Sequence, residues 1–272
     1  MSNRIELQTN AWAFLDISHP MCAWAAYRGV LLPPPSAHGA ISLWTAGLFR
    51  SKSAHRIRTE MLLEEVRRRE FPRAVSRLTG FYAFRDSRSA DLALQWGLNH
   101  FQKAQLVELC CDLSRSPAPH DANWITNSRN HVGDRWASSY WAGEPYPYDD
   151  AAWEVIVDKR AWILGTYVRQ AAYDVVSSRY PDSVDLLEIG RLAAIVGSDL
   201  CSVSMFGDFH EQEASFDFRL DMRDAANTQV INSICELIQT GHPVRGEALA
   251  LLSSGEMIVP DLRAESFNVR IP

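Results

Sequence analysis

Residues 136–165 read WASSYWAGEPYPYDDAAWEVIVDKRAWILG, and the reading of the chain turns on them. Val132, Trp136 and Tyr140 recur at i, i+4 and i+8, which predicts an amphipathic helix entering the stretch. Gly143, Pro145, Pro147 and the Asp149-Asp150 pair then mark a loop. WEVIV (153–157) has the length and β-branched content of a strand, with Glu154 and Ile156 on one face and Trp153, Val155 and Val157 on the other. Burying an unpaired carboxylate costs several kcal/mol, roughly, so a Glu in an otherwise apolar strand is solvated, paired or functional.

On the N-terminal side, ISLWTAGL (41–48) reads as a first strand. Thr59 is the expected N-cap of the helix TEMLLEEVRRREF, with Glu60 in its first turn, Arg67, Arg68 and Arg69 near its end and Pro72 as the stop. SRLTGFYAFRD (76–86) follows as a strand carrying Leu78, Tyr82 and Phe84 on one face, and Gly80 within it signals a bulge or a close backbone approach. Ser87 is read as the cap of a helix running to about Phe101, QLVELCCD (105–112) as a strand, and 123–126 as loop or short strand. Residues 1–40, with short helices expected around 12–14 and 21–27 and a stiff Pro33-Pro34-Pro35 connector, read as an arm before the core.

Past the stretch, 161–164 is a further strand. Helices at 166–179 and 183–196, a hairpin of 201–206 with 214–222, helices near 225–239 and 246–253 and a strand at 266–271 complete the pattern. The expected organisation is an N-terminal arm (1–40), a core (41–165) and a C-terminal α+β region (166–272).

Composition bounds the function classes. With 272 residues, 47% hydrophobic and 22% charged, the chain has enough apolar matter for a sizeable core. The five cysteines show no CxxC spacing, as expected of a reducing compartment. The apolar run 11–32 is broken by Asp16, His19, Pro20 and Arg28 and has no basic segment before it, so neither a secretion signal nor a spanning helix is expected, and the cytoplasm is. Net charge is −6, but residues 50–88 hold 11 Lys and Arg against 5 Asp and Glu, whereas 181–272 hold 6 against 15. A basic segment in an acidic chain points to a local phosphate-facing surface. GxGxxG, Walker A, HExxH, GxSxG and EF-hand signatures are absent, the eight histidines form no spaced cluster, and His210-Glu211 reads as surface.

An order remains: Arg77 after the basic helix, Tyr82 on the strand that follows it, and Glu154 at the head of a later strand. That order resembles the ADP-ribosyltransferase superfamily. RTEMLLEEVRRREFP, SRLTGFYAF, YWAGEP and WEVIV together look like a bacterial family of unknown function grouped with those transferases, over about residues 41–165. The resemblance implies an α+β fold with a split mixed sheet and flanking helices, and NAD as the donor. It implies Glu154 as the catalytic carboxylate opposite an oxocarbenium-like ribose. Tyr82 would stack on nicotinamide, Arg77 would clamp a phosphate or ribose, and Trp44 and Thr45 would complete the NAD site. Thr45 stands where one branch carries His, and the other branch's strand-opening Arg and its Ser-Thr-Ser motif have no counterpart. Ala152 stands where arginine-modifying members carry an acid, so a guanidinium acceptor is not implied.

The expected function is therefore ADP-ribosyl transfer to a macromolecule, with Tyr146, Tyr148, Arg67 and Arg68 as acceptor contacts. Those residues tilt the acceptor towards single-stranded nucleic acid over protein. The superfamily's habits add toxin or phage-defence roles and an antitoxin partner. The alternatives are NAD glycohydrolysis and a non-catalytic interaction module on the same fold.

Overall fold

The computed structural model describes residues 9–51, 53–98, 101–111, 119–210, 213–254 and 256–270. In the first described segment, small and large side chains alternate. Ala11 and Ala13 point into the core while Trp12 and Phe14 face the other way, and the result is strand β1 (Thr9–Phe14). The helix expected around 12–14 is therefore this strand. Helix α1 (Pro20–Arg28) follows. Pro20 starts it, the His19 Nδ1 accepts the Met21 N–H, and Gly29 ends it at φ 82°. Its MCAWAAY run is apolar on every side, and the helix is buried all round.

The chain continues through β2 (Val30–Leu31), β3 (Ala40–Ile41), α2 (Ala46–Arg50), α3 (Ala54–Glu70), β4 (Phe81–Phe84), α4 (Ser87–Leu94), β5 (Leu106–Cys111), β6 (His120–Asp121), α5 (Asn123–Thr126) and α6 (Arg135–Trp141). Then come β7 (Trp153–Val157), β8 (Ala161–Leu164), α7 (Tyr167–Arg179), α8 (Val184–Ile195), β9 (Val203–Phe209), β10 (Glu213–Leu220), α9 (Thr228–Gln239), α10 (Ala248–Ser254) and β11 (Phe267–Arg270). The architecture is α+β. One sheet runs β2-β8-β5-β1-β4-β7-β6 and a second runs β11-β10-β9-β3. The described strand pairs are antiparallel, where a mixed sheet was expected.

The segment expected as an arm supplies β1, in the middle of the large sheet, and α1, which packs against α7 and α8. One hydrophobic cluster runs from Ala11 to Val269 and takes in residues on both sides of position 165. It covers one face of the sheet, where Ala13, Phe81, Ala83, Val155, Val157 and Ile163 lie. The other face is covered in part by α3 and α6, packed on Ile156. This second face positions the site. No helix of the described residues is long and apolar enough to cross a membrane.

Several local expectations change for identifiable reasons. The run 41–48 is a strand only at Ile41. Thr45 donates its hydroxyl to the Ser42 carbonyl at 2.7 Å, folding Leu43–Thr45 into a 3-10 turn that leads directly into α2. Helix α3 starts at Ala54, not after Thr59, because Ile57, Glu60, Leu63 and Glu64 form one buried stripe. Ile57 is the one buried residue in 54–58, too little for hydrophobic periodicity to carry the helix back before Thr59. Val132 is fully exposed and lies outside α6. Residues 123–126 are a helical turn, and Asp86, not Ser87, caps α4. The strand at 76–86 is confined to β4. Gly80 lies just before it because a Cβ there would meet Ile156 Cγ2 at 2.4 Å, the close approach the sequence had signalled. Asp112, Glu211 and Ile271, at the ends of expected strands and of the His-Glu pair, lie outside the described residues.

Candidate functional site

Register places the site. β4 pairs with β7 so that Tyr82 lies opposite Ile156 and Phe84 opposite Glu154, and β6 brings His120 opposite Glu154. Directly paired residues share a face, so Tyr82, Phe84, His120, Glu154 and Ile156 all project to the side of α3 and α6. Glu60 arrives from the stripe of α3, Tyr140 from α6, and Arg77 from the turn before β4.

These groups form a buried ionic knot. The Arg77 guanidinium grips Glu60 with two parallel bonds, Nε to Oε2 at 2.9 Å and Nη2 to Oε1 at 3.0 Å. Its Nη1 donates to Glu154 Oε1 at 2.5 Å and to the Tyr140 hydroxyl oxygen at 3.0 Å. Tyr140 in turn donates to the same Oε1 at 2.6 Å. Glu60, Arg77 and Glu154 are all under 7% exposed. Both donors to Glu154 converge on Oε1, so Oε2 has no donor among the described residues.

Two carboxylates sharing one guanidinium leave the knot one negative charge in excess. Glu60 holds the bidentate geometry, so Glu154 is the weaker-held acid. Burial pushes its carboxyl up, against the opposing pull of Arg77. Burial also works against the charge on Arg77, but Glu154 and Glu60 hold it well above the ordinary arginine range. Burial raises Tyr140 far above the usual phenol range. Burial lowers His120 to about 4, with Arg77 acting in the same direction, so its ring is neutral. His120 Nδ1 lies 3.0 Å from the Tyr140 carbonyl, which makes Nδ1 the protonated nitrogen.

Two adjoining cavities open beside the knot. One, of about 500 Å³, is lined by Phe14, Asp16, Trp44, Arg56, Tyr82 and Gln105. The other, of about 420 Å³, is lined by His55, Arg56, Arg77, Tyr82, Arg129 and Glu154. Arg56 and Tyr82 border both. The Tyr82 ring also receives the Arg77 guanidinium over its face, 4.6 Å from the centroid.

The expected residues thus divide. Arg77, Tyr82 and Glu154 meet at one cavity, and Trp44 borders its neighbour. Thr45 is buried, its hydroxyl committed to Ser42, and it lines neither cavity. Arg67 grips Glu64 through Nε and Nη2, both at 2.9 Å, and Arg68 reaches the same carboxylate at 2.8 Å. Ser76 also donates to Glu64, so most of the charge on that helix end is internally matched. Tyr146 is buried, its ring edge-to-face with Trp124 at 5.0 Å between centroids, whereas Tyr148 is 79% exposed.

Other residues were not anticipated from the sequence. Asp121, fully buried, accepts the N–H groups of Asn123 at 3.0 Å, Tyr146 at 2.8 Å and Ala152 at 3.1 Å, and so pins both ends of the loop before Glu154. Arg56 comes from the missed first turn of α3, and Glu60 from a position expected only as a favourable charge in the helix's first turn. A helical pattern that admits Glu at buried positions would have turned Glu60 inward. Among the described residues no cluster of three or more His, Cys, Asp or Glu is placed to hold a metal ion.

The fold and site define an antiparallel α+β protein with a half-satisfied buried carboxylate at the wall of a cleft. Residues 41–169, the stretch that contains β4, β7 and the whole knot, are similar to a family described as Protein of unknown function (DUF2441). No curated protein and no solved structure matches the chain.

Proposed function

We propose that the chain is an NAD-dependent ADP-ribosyltransferase that modifies a macromolecule, with Glu154 as its catalytic carboxylate. The observation that carries this reading is the convergence of Arg77, Tyr82 and Glu154 on one cavity, with Oε2 of Glu154 unengaged and a second cavity adjoining it across Arg56 and Tyr82. An antiparallel α+β core that orders Arg, Tyr and Glu along one cleft supports an ADP-ribosyltransferase-like fold.

The two cavities have the size range of small-molecule sites and fit an elongated ligand with a ring at each end. Tyr82 would stack on one ring. Arg56, for which no carboxylate partner exists among the described residues, would hold the phosphates between them. This assignment moves the phosphate contact from Arg77, whose guanidinium is taken up by Glu60, Glu154 and Tyr140. NAD supplies a ribose whose bond to nicotinamide breaks through an oxocarbenium-like state. Glu154 Oε2 would offset the charge that develops on that ribose, and Tyr140 and Arg77 keep the carboxylate in place. The protein would act in the cytoplasm, as a toxin or defence effector neutralised by an antitoxin partner.

One observation favours a second reading. Every donor on the Nε, Nη1 and Nη2 atoms of Arg77 that reaches a partner reaches one inside the knot, as a purely structural ion cluster in a non-catalytic module would have it. Incubation of the purified protein with adenylate-labelled NAD and separate RNA, DNA and lysate-protein pools separates the two. We expect NAD to be consumed, label to appear on one pool, and Glu154→Gln to reduce both by ~10²-fold or more. Release of label only as free ADP-ribose would identify a glycohydrolase. Intact NAD in every mixture would leave the non-catalytic reading.

A further inference from the structure

Around the mouth of the Glu154 cavity lies a group of cations that the knot does not use. Arg56 and Arg58 stand beside His55 at the start of α3, where the helix dipole disfavours positive charge and the first turn holds no acidic residue. Arg129 comes from the 3-10 turn Ser128–Asn130, and Ser128 lies 3.2 Å from His55 Nε2, which ties the two segments together. His55, Arg56, Ser128 and Arg129 all line the cavity. Burial and then Arg129, Arg56 and Arg58 lower the His55 pKa, so the three guanidiniums share one local field. None of the three has a carboxylate partner among the described residues, in contrast to Arg67, Arg68, Arg69 and Arg77. Holding three like charges together without counter-ions is costly, and a polyanion would relieve it.

The same segment carries aromatic surface. Trp124 in α5 packs against His131 at 5.4 Å and Tyr146 at 5.0 Å between ring centroids. Tyr146 continues to Tyr148 at 5.5 Å, and Tyr148 presents most of its ring to solvent. Ile125 and Thr126, beside Trp124, line the cavity. A cationic rim leading from the cavity to an aromatic cluster that ends in the exposed ring of Tyr148 is an arrangement that can track a phosphodiester backbone and stack an unpaired base.

We infer that Arg58 and Arg129, with the Trp124–Tyr146–Tyr148 cluster, form a docking track for single-stranded nucleic acid, which is the acceptor. The role as acceptor rests on the proposed transferase reading; the binding itself does not. Planar guanidiniums match phosphate oxygens in pairs, and Tyr148 is free to take a base on its face. The expected acceptor class is thereby kept, while its contacts move from Arg67 and Arg68 to Arg58 and Arg129.

The test is fluorescence anisotropy with labelled single-stranded RNA and DNA oligonucleotides of mixed sequence, on the full chain without NAD, as salt is varied. Wild-type protein should bind at low salt and lose affinity steeply as salt rises. Arg58→Ala/Arg129→Ala should bind at least ~10-fold more weakly, with the log–log salt slope reduced by about 0.7 per arginine. Tyr148→Ala should weaken binding ~5-fold or more with the salt slope unchanged, because stacking releases no counter-ions. All three residues are exposed, and a thermal melt of each variant checks folding. No oligonucleotide binding by the wild-type protein at low salt, or an unaltered salt slope in the double variant, overturns the inference. NAD turnover is measured alongside on the wild-type protein. Turnover without oligonucleotide binding removes the track and keeps the transferase; binding without turnover does the reverse.

Discussion

Two buried glutamates, Glu154 and Glu188, are each held by an arginine and a tyrosine, one on each side of the large sheet. On the helical side, Glu188 of α8 accepts the Tyr27 hydroxyl at 2.6 Å, two bonds from Arg191 at 2.7 and 2.9 Å, and the Arg245 N–H at 3.0 Å. Its two oxygens are shared out among those four donors. Burial raises its carboxyl, but Arg191 and Tyr27 more than reverse this, and its pKa is lowered on balance. On the cleft side, Glu154 also has one Arg and one Tyr, yet both bind one oxygen, and its pKa goes up. The first arrangement completes a carboxylate's coordination; the second stops halfway and aligns the residue with a cavity. Composition does not distinguish them. Coordination does, and the open oxygen of Glu154 is what the proposed catalytic role would use.

Removing the cation should show the asymmetry most strongly. Arg77→Ala leaves Glu60 and Glu154 buried without any cation among their described partners, and should cost about 3–5 kcal/mol of stability, the scale for breaking a buried pair. Arg191→Ala leaves Glu188 with Tyr27 and the Arg245 N–H, and the side chain removed is 11% exposed, so the loss should be the smaller of the two. Urea unfolding of both variants measures the comparison. Equal losses would show that the spare charge on Glu154 carries no penalty. The proposed mechanism does not use Arg77 as the expected clamp on phosphate or ribose, because its bonds are to the protein itself.

Neutralising the acids should separate function from stability. Glu154→Gln keeps shape and can still accept the Tyr140 hydroxyl, so the fold should hold while the proposed transfer falls ~10²-fold or more, equivalent to about 2.7 kcal/mol of barrier. Glu188→Gln should leave the rate of transfer unchanged and lower the melting temperature, because a neutral amide loses the charge-assisted bonds to Arg191. Single-turnover NAD assays beside thermal melts give both readouts. A rate loss in Glu188→Gln matching that in Glu154→Gln, with both proteins folded, would mean the distinction between the knots is only descriptive.

Much of this was legible in the sequence where local pattern and burial agree. β7, β8, the hairpin β9–β10 and helices α7 and α8 follow from alternation and 3.6-residue periodicity, and Glu154 was conspicuous because it interrupts an apolar strand. The rest was hidden for physical reasons. α3 buries Glu60 and Glu64, so its apolar stripe contains acids whose partners, Arg77 and Ser76, lie 17 and 12 residues on. Thr9–Phe14 is too short for periodicity to choose helix or strand, and its place is set by pairing with β5 and β4, about 70 or more residues away. Arg67 and Arg68 looked available because a run of charges does not reveal that Glu64 is folded back against it.

The finest test uses acid, where the two glutamates should act in opposite senses. Glu154 has a raised pKa in the folded protein, so folding favours its protonated form. Its contribution to stability is fully present below the ordinary glutamate pKa of about 4.3 and is lost as pH rises through the higher folded value. Glu188 has a lowered folded pKa, so its contribution is present above the ordinary value and is lost as pH falls through the folded one. His19 and His120, lowered to about 4, also weaken the fold in acid, so each glutamate is read by comparing its Gln variant with wild type across the same pH series. Between about pH 4 and 7, the difference in unfolding free energy between wild type and Glu154→Gln should move against the wild type as pH rises. Below the ordinary glutamate pKa, the difference for Glu188→Gln should move against the wild type as pH falls. The proposed transfer, needing the Glu154 carboxylate ionised, should rise along a limb centred above the ordinary glutamate value and so follow the first curve, not the second. Same-sign slopes in both variants would mean that Arg77 fully compensates Glu154, and the cleft-side knot would then be a second structural clamp.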